Sequence, residues 1–400
     1  MKSKLPFTVL ALAWLSFASA ALAQNPPPLP AGVVAHRDLA YVTGGHAQQK
    51  LDLFLPEKAA GPTPLIVWIH GGAWVSGDKS DNPPLRSGFV QRGYAVASLN
   101  YRLSGVALFP AQIEDCKAAL RWLRAHAKEY NLDPAHIGVW GGSAGGHLVA
   151  LLGTTGGTRE FDVGENLDQS SAVQAVGDFF GPTDFVQMDA HALKGTHLIH
   201  DDPGSPESRV IGGPIQDKAN YEKVQRANPI KYLTKDAPPY LIVHGDQDPL
   251  VPHHQSELLY AALKGAGVPV RFHTIKGGGH GKGFGGKEIS EMVAAFFDLH
   301  LLGQKTAASG WSAAMTSDSV AVADAPRADH ARPPERGKQG GGQGQWQRPT
   351  WEQFLERSDA NKDGKVTRDE FKGPPQIFEM LDRNKDGVVT KEEHEQPGRN

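Results

Sequence analysis

Cysteine is almost missing. Cys116 stands alone among 400 residues, so no intramolecular disulfide holds the chain together. It falls in a helical pattern with Ile113, Leu120 and Leu123 and reads as a small packing residue. Neither charge is in excess, with 41 Lys and Arg against 44 Asp and Glu. That balance offers no surface for polyanions and counts against nucleic acid as a partner. Long apolar runs are also absent, except at the start. There Lys2 and Lys4 precede the apolar stretch Leu5–Ala20, and Ala21-Leu22-Ala23 is a small-x-small cleavage site. The pattern predicts a signal peptide over 1–23 and an exported protein, periplasmic or extracellular. No later stretch approaches the ~20 apolar residues of a span, so no membrane span is expected after signal removal.

What the chain does have is punctuation: 46 glycines and 29 prolines. Residues 24–35 form a Pro-rich spacer. His36–Leu55 alternates polar and apolar residues and predicts antiparallel edge strands around Gly44-Gly45. Buried strands are expected at Pro64–His70, Tyr94–Leu99, Ile137–Trp140, Val173–Phe180, Tyr240–His244 and Val270–Ile275. Helices are expected at Arg86–Arg92, Pro110–Tyr130, Gly146–Leu152 and Ile289–Leu301. This alternation predicts an α/β unit over 36–303, a doubly wound and mostly parallel sheet. Residues 184–235 lack strong periodicity and read as a lid-like insertion. Residues 304–348, rich in Gly, Ala, Pro and Gln, read as a flexible linker, and 349–400 as a second, small all-α module.

The pentapeptide Gly141-Gly142-Ser143-Ala144-Gly145 sits between an apolar strand and a helix, which predicts a sharp turn with an exposed hydroxyl. A serine hydroxyl needs a base, and the base needs an acid. Later strands run into Gly245-Asp246-Gln247-Asp248 and into Gly278-Gly279-His280-Gly281. The order Ser143, Asp248, His280 is that of a nucleophile, acid and base on the ends of later strands in the chain. Asp248 lies further into its loop than Asp246, which is expected to cap the turn. His253 and His254 are expected at solvent or against the insertion, and Asp184 either lines the site or caps a turn. Amides of Gly71, Gly72 and Ala144 are expected to receive the oxyanion.

Taken together, His-Gly-Gly-Ala-Trp at 70–74, Asn-Tyr-Arg-Leu at 100–103, Gly-Gly-Ser-Ala-Gly-Gly-His at 141–147, His-Gly-Asp-Gln-Asp-Pro-Leu-Val-Pro at 244–252 and Gly-Gly-His-Gly at 278–281 resemble the α/β-hydrolase superfamily. Within it they resemble the lipase and carboxylesterase branch, and secreted bacterial feruloyl and acetylxylan esterases most of all. The resemblance implies a serine esterase acting on a small-molecule or polysaccharide-linked ester, with no cofactor for the chemistry. Two positions depart from the hormone-sensitive-lipase pattern: Ala73 replaces a third glycine, and Gly142 replaces an Asp. The competing readings are a serine peptidase of the same fold and a non-catalytic, calcium-dependent attachment protein.

Two loops near the C-terminus repeat one pattern. Asp359, Asn361, Asp363, Lys365, Thr367 and Glu370 recur as Asp382, Asn384, Asp386, Val388, Thr390 and Glu393, with Gly364 and Gly387 at position six. Oxygen donors at positions 1, 3, 5, 9 and 12 satisfy the EF-hand pattern, and Lys365 and Val388 would offer their backbone carbonyls. Ca2+ is the expected ion, for a structural or docking role with a protein or cell-surface partner, not for catalysis.

Overall fold

The computed structural model describes residues 29–304 and, beyond them, the two C-terminal loops with scattered residues between 351 and 393. The signal segment and the linker lie outside the described residues. Eight strands form one sheet: β1 (Val33–Ala40), β2 (Lys50–Pro56), β3 (Thr63–Ile69), β4 (Ala95–Leu99), β5 (Leu132–Gly142), β6 (Ala175–Phe179), β7 (Tyr240–Gly245) and β8 (Val270–Ile275). Their order across the sheet is β1-β2-β4-β3-β5-β6-β7-β8. β1 and β2 pair antiparallel, β2 pairs antiparallel with β4, and every later pairing is parallel.

Parallel strands are covered on both faces, so they read as continuous apolar runs. Leu65, Val67 and Ile69 of β3 face one core with Val139, Ile242 and Phe272, while Ile66, Trp68, Trp140 and Val243 face a second. The first core is closed by α1 (Ala111–Ala125), α2 (Ala144–Thr155) and α3 (His254–Gly265), and the second by α4 (Lys287–Leu301). Because β3, β5, β6, β7 and β8 run the same way, the loops leaving their carboxyl ends lie along one edge, where open α/β sheets bind ligands.

Two expected elements differ. Arg86–Arg92 is not a helix: the helical turn is Pro83–Arg86, N-capped by Asn82, with turns beyond it. The glycine pair Gly88 and Gly93, with φ of 74° and 91°, supplies the turn geometry that ends it. β5 begins at Leu132, through Pro134, because its first residues pair with Thr63 beyond a register shift.

Residues 184–235 carry short helices at Met188–His191, Pro206–Ile211 and Tyr221–Ala227, with 3-10 turns at Phe185–Gln187, Lys218–Asn220 and Pro229–Tyr232. Phe185, Met188, Val210, Ile211, Val224 and Ala227 are buried in the same core as α2. The C-terminal module pairs β9 (Val366–Thr367) with β10 (Val388–Val389) antiparallel, over a small core of Trp351, Val366, Phe378 and Val389. Among the described residues no helix is long and apolar enough to cross a membrane.

Candidate active site

Ser143 stands between β5 and α2 with φ 56° and ψ −124°, a conformation that costs a non-glycine residue energy and that clusters at functional sites. Its amide donates to the Phe179 carbonyl at 2.9 Å, and its carbonyl accepts from His147 N–H at 3.0 Å. The flanking glycines are steric necessities. A Cβ on Gly145 would sit 2.1 Å from the Ile69 carbonyl oxygen, and one on Gly141 2.4 Å from that of Gly145.

The loops after β7 and β8 meet at the same edge of the sheet. His280 Nδ1 lies 2.8 Å from Asp248 Oδ2, while Asp248 Oδ1 accepts from the amides of Leu250 and Val251 at 2.8 and 3.0 Å. Burial alone would raise this carboxyl, but hydrogen bonds from His244 and His280 hold it well below the usual carboxylate range. His244 is fully buried at the end of β7. Its Nε2 faces two acceptors, Val251 O at 3.0 Å and Asp248 Oδ2 at 3.3 Å, and its Nδ1 faces Ser256 Oγ at 2.7 Å. Burial pushes the His244 pKa down, so it is neutral, with its proton on Nε2 and its Nδ1 accepting from the serine hydroxyl. Asp248 Oδ2 therefore faces two imidazoles.

Asp246 does not reach His280. Its Oδ1 accepts from Gly277 N–H at 2.7 Å, and the neighbouring Gln247 N–H donates to Gly278 O at 2.8 Å. The two loops are clasped along their backbones. Within the histidine loop Gly278 is held by close packing, since a Cβ there would lie 2.7 Å from Ile275 Cγ2. A Cβ on Gly245 would lie 2.3 Å from Gly278 O.

After β3, His70–Trp74 passes over the serine turn. A Cβ on Gly71 would fall 2.8 Å from Gly142 O and 3.2 Å from Ser143 Cβ. Gly72, Ala73 and Trp74 all have positive φ, at 101°, 55° and 58°. That crimp is braced by Val75 and Ser76 amides on Gly72 O, both at 3.0 Å, and by His70 Nδ1 on Gly71 O at 2.7 Å. Tyr101 stacks on His70, ring centroids 4.5 Å apart, and donates to its carbonyl at 3.1 Å. Among the described residues the amides of Gly71, Gly72 and Ala144 donate to no protein acceptor. Unpaired donors beside a serine turn are what an oxyanion site requires.

His147 is not a base. Its Nε2 meets the Ala227 carbonyl at 2.7 Å, and burial takes its pKa down to about 4. It packs edge-on against Trp74 and beside Phe185. Asp184 N-caps the 3-10 turn after it, accepting from Val186 N–H at 3.2 Å. Gln255 Oε1 takes both the Thr183 and Asp184 amides at 2.7 Å, tying the start of residues 184–235 to α3. His254 stacks on His191 of that same segment, and His253 Nε2 bonds Thr274 Oγ1 at 3.0 Å. Composition and spacing gave no sign of Gln255 or Phe180 as parts of this edge, because each acts across a large sequence separation, and none of His244 or the buried Asp178, which sit within buried apolar strands.

The C-terminal loops are near copies in space. In the first, Asp359 Oδ2 accepts from Gly364 N–H at 2.8 Å, Asn361 Oδ1 from Asp363 N–H at 2.8 Å, and Glu370 Oε2 from Thr367 N–H at 3.0 Å. The second repeats these as Asp382 with Gly387, Asn384 with Asp386 and Glu393 with Thr390, at 2.8, 2.8 and 3.0 Å. Gly364 and Gly387 take φ of 81° and 85°. Among the described residues no three His, Cys, Asp or Glu side chains converge as a metal cluster by themselves. The loops instead combine two Asp with an Asn, a Thr, a backbone carbonyl and a folded-back Glu. That all-oxygen set, drawn together by loop amides, suits a hard cation such as Ca2+.

The BD-FAE family model matches residues 51–263, just over half of the chain, and stops short of His280. An EF hand model matches 352–373 and 376–393. Esterase LipQ of Mycobacterium tuberculosis is 34% identical over 263 residues, 64% of this chain and 59% of that protein. Probable carboxylic ester hydrolase LipM of the same organism is 36% identical over 198 residues, 49% of this chain and 44% of that protein. The chain thus spans roughly half the length of these curated relatives. Among solved structures, a truncated carbohydrate esterase from gut microbiota is 33% identical, with a TM-score of 0.61, covering 67% of this chain and 96% of that one.

Proposed function

The chain belongs to the BD-FAE family of α/β-hydrolases, and on that premise we propose that it is an exported serine esterase in which Ser143, His280 and Asp248 form the triad. It is an enzyme of the carboxylic ester hydrolase class. Ser143 Oγ attacks the ester carbonyl while His280 Nε2 takes its proton. Asp248 holds Nδ1–H and stabilises the imidazolium that forms. The amides of Gly71, Gly72 and Ala144 receive the oxyanion. His280 then protonates the leaving alcohol, and water attacks the acyl-enzyme by the same path.

One observation carries this reading: the pair of buried Asp248 with half-buried His280 at 2.8 Å, on the same sheet edge as a serine held at φ 56°. Acetyl or feruloyl groups on polysaccharide are the proposed substrates, supported by the likeness to a carbohydrate esterase. Asp359, Asn361, Asp363, Thr367, Glu370 and the Lys365 carbonyl would hold one Ca2+, and their counterparts from Asp382 to Glu393 a second. When bound, the ions supply folding energy to a small module, whose role is attachment to a protein or cell surface. Export rests on the leader at 1–23.

Ser143→Ala tests the nucleophile. Turnover of p-nitrophenyl acetate and labelling by a fluorophosphonate should both vanish while the melting temperature holds; retained turnover would refute the assignment. A panel of acetylated xylan, feruloylated arabinoxylan and peptide substrates then separates polysaccharide esterase from peptidase.

A further inference from the structure

Phe180 is the first residue after β6, and its backbone is strained. Its φ is 44°, a left-handed value at which a bulky residue is an outlier. Its amide is nevertheless committed, donating to Val243 O at 2.9 Å. Strain of this kind persists only where the surroundings impose it. Here its effect is to aim a phenyl ring. The ring meets His280 edge-on, centroids 4.7 Å apart at 62°, and Phe284 at 4.7 Å and 80°. On its other side it fills the space beside Gly142. A Cβ at position 142 would stand 3.1 Å from Phe180 Cζ and 3.3 Å from Cε2.

The ring therefore lies between the residue preceding Ser143 and the imidazole of His280. Asp248 anchors one end of that imidazole, at Nδ1, and leaves its tilt unset. We propose that Phe180 is a positioning residue that sets the tilt of His280 toward Ser143, and that Gly142 is glycine to leave room for it. The proposal rests on the assignment of Ser143, His280 and Asp248 as the triad. A Cβ at 142 requires the ring to give by a few tenths of an ångström. Phe284 and His280 stand behind it, so the displacement passes to the base. Misplacement of a catalytic group on the ångström scale costs up to ~100-fold in rate.

A double-mutant cycle in the full chain tests this, with steady-state kinetics on p-nitrophenyl acetate. Gly142→Ala should lower kcat about tenfold with KM held within about twofold. Phe180→Leu should cost about threefold. The double variant should return to the level of Phe180→Leu, because the shorter side chain gives the new methyl room. Losses that multiply in the double variant, a loss confined to KM, or a fully active Gly142→Ala would overturn the proposal. Should Gly142→Ala fail to fold, Phe180→Ala and Phe180→Tyr decide: the first must lose about tenfold in kcat and the second stay within about twofold of wild type. Any other pattern in that pair overturns it. Ser143→Ala run alongside separates the failures. If it keeps turnover, the triad reading falls and takes this inference with it. If it is inactive while the cycle is additive, this inference alone falls.

Discussion

Replacing Asp248 by Asn removes a charge while keeping the shape, and the bonds around the carboxylate set the outcome. Oδ1 accepts two backbone amides, from Leu250 and Val251, and Oδ2 faces His280 and His244. All of these partners need an acceptor, and Asn has one oxygen. With the oxygen on the imidazoles, the NH2 opposes two buried amides, at ~1–3 kcal/mol for each unsatisfied donor. With the oxygen on the amides, the NH2 meets His280 Nδ1, and the ring answers by moving its proton to Nε2. His244 makes the complementary change, turning Nδ1–H toward Ser256 Oγ. The second arrangement gives up one bond, that of His244 Nε2–H to Val251 O, against two opposed amides in the first, so it is the one adopted. It folds, and it is inactive: a proton on Nε2 prevents that atom from taking one from Ser143. A wrong tautomer costs on the order of 10,000-fold in kcat, roughly 5 kcal/mol of transition-state stabilisation. Turnover of p-nitrophenyl acetate reads the loss, and calorimetry should show Tm lowered by only a few degrees, for the one buried carbonyl left without its donor. Asp246→Asn is the companion, since its Oδ1 can still accept from Gly277 and its pair with the exposed Lys276 is worth under ~1 kcal/mol. Its loss should stay below about tenfold. More than about a tenth of wild-type turnover in Asp248→Asn, or an equal loss in both variants, would refute the reasoning.

Asp178, buried in β6, has its carboxyl pushed up to about 8 by burial, against the pull of Gly181 N–H at 3.1 Å. The unfolded chain releases this proton near pH ~4, so the group's contribution to stability is intact below ~4 and is lost as pH rises to about 8, by at most ~1.4 kcal/mol per pH unit. Asp178→Asn, which keeps the acceptor and removes the ionisation, should gain Tm over wild type as the pH is raised from about 5 to about 8.5; an equal difference at both pH values would count against a buried neutral acid. In the C-terminal module, Glu370→Gln and Glu393→Gln should each weaken Ca2+ binding by about tenfold or more, read by emission of the buried Trp351, with ester turnover unchanged. A fall in turnover would tie the module to catalysis.

The chemistry of this chain was legible wherever it is local. The EF-hand loops carry all their donors within twelve residues, and the serine turn carries its own glycines. Asp248 and His280 could be singled out because each lies in a loop that leaves a buried apolar strand. Residues 184–235 were opaque because their helices run for only four to seven residues, too short to display a 3.6-residue period. Gly142 looked like a plain departure from a familiar pattern. Its reason, the ring of Phe180, comes from another strand. His244 was equally hidden: at the end of a buried strand a histidine is indistinguishable in sequence from one that merely packs.

The backbone clasp between the Asp246 and Gly277 loops has a mechanical consequence. The proposed acid and base, Asp248 and His280, belong to one leaf, while the proposed nucleophile Ser143 stands on a separate support at the head of α2. A substrate that strains the site cannot part carboxylate from imidazole without breaking Asp246–Gly277 and Gln247–Gly278 together. It can only slide the leaf, as a unit, against the serine. Variation in the pocket walls is then free to retune which esters fit, since the proton-handling pair travels through such changes intact.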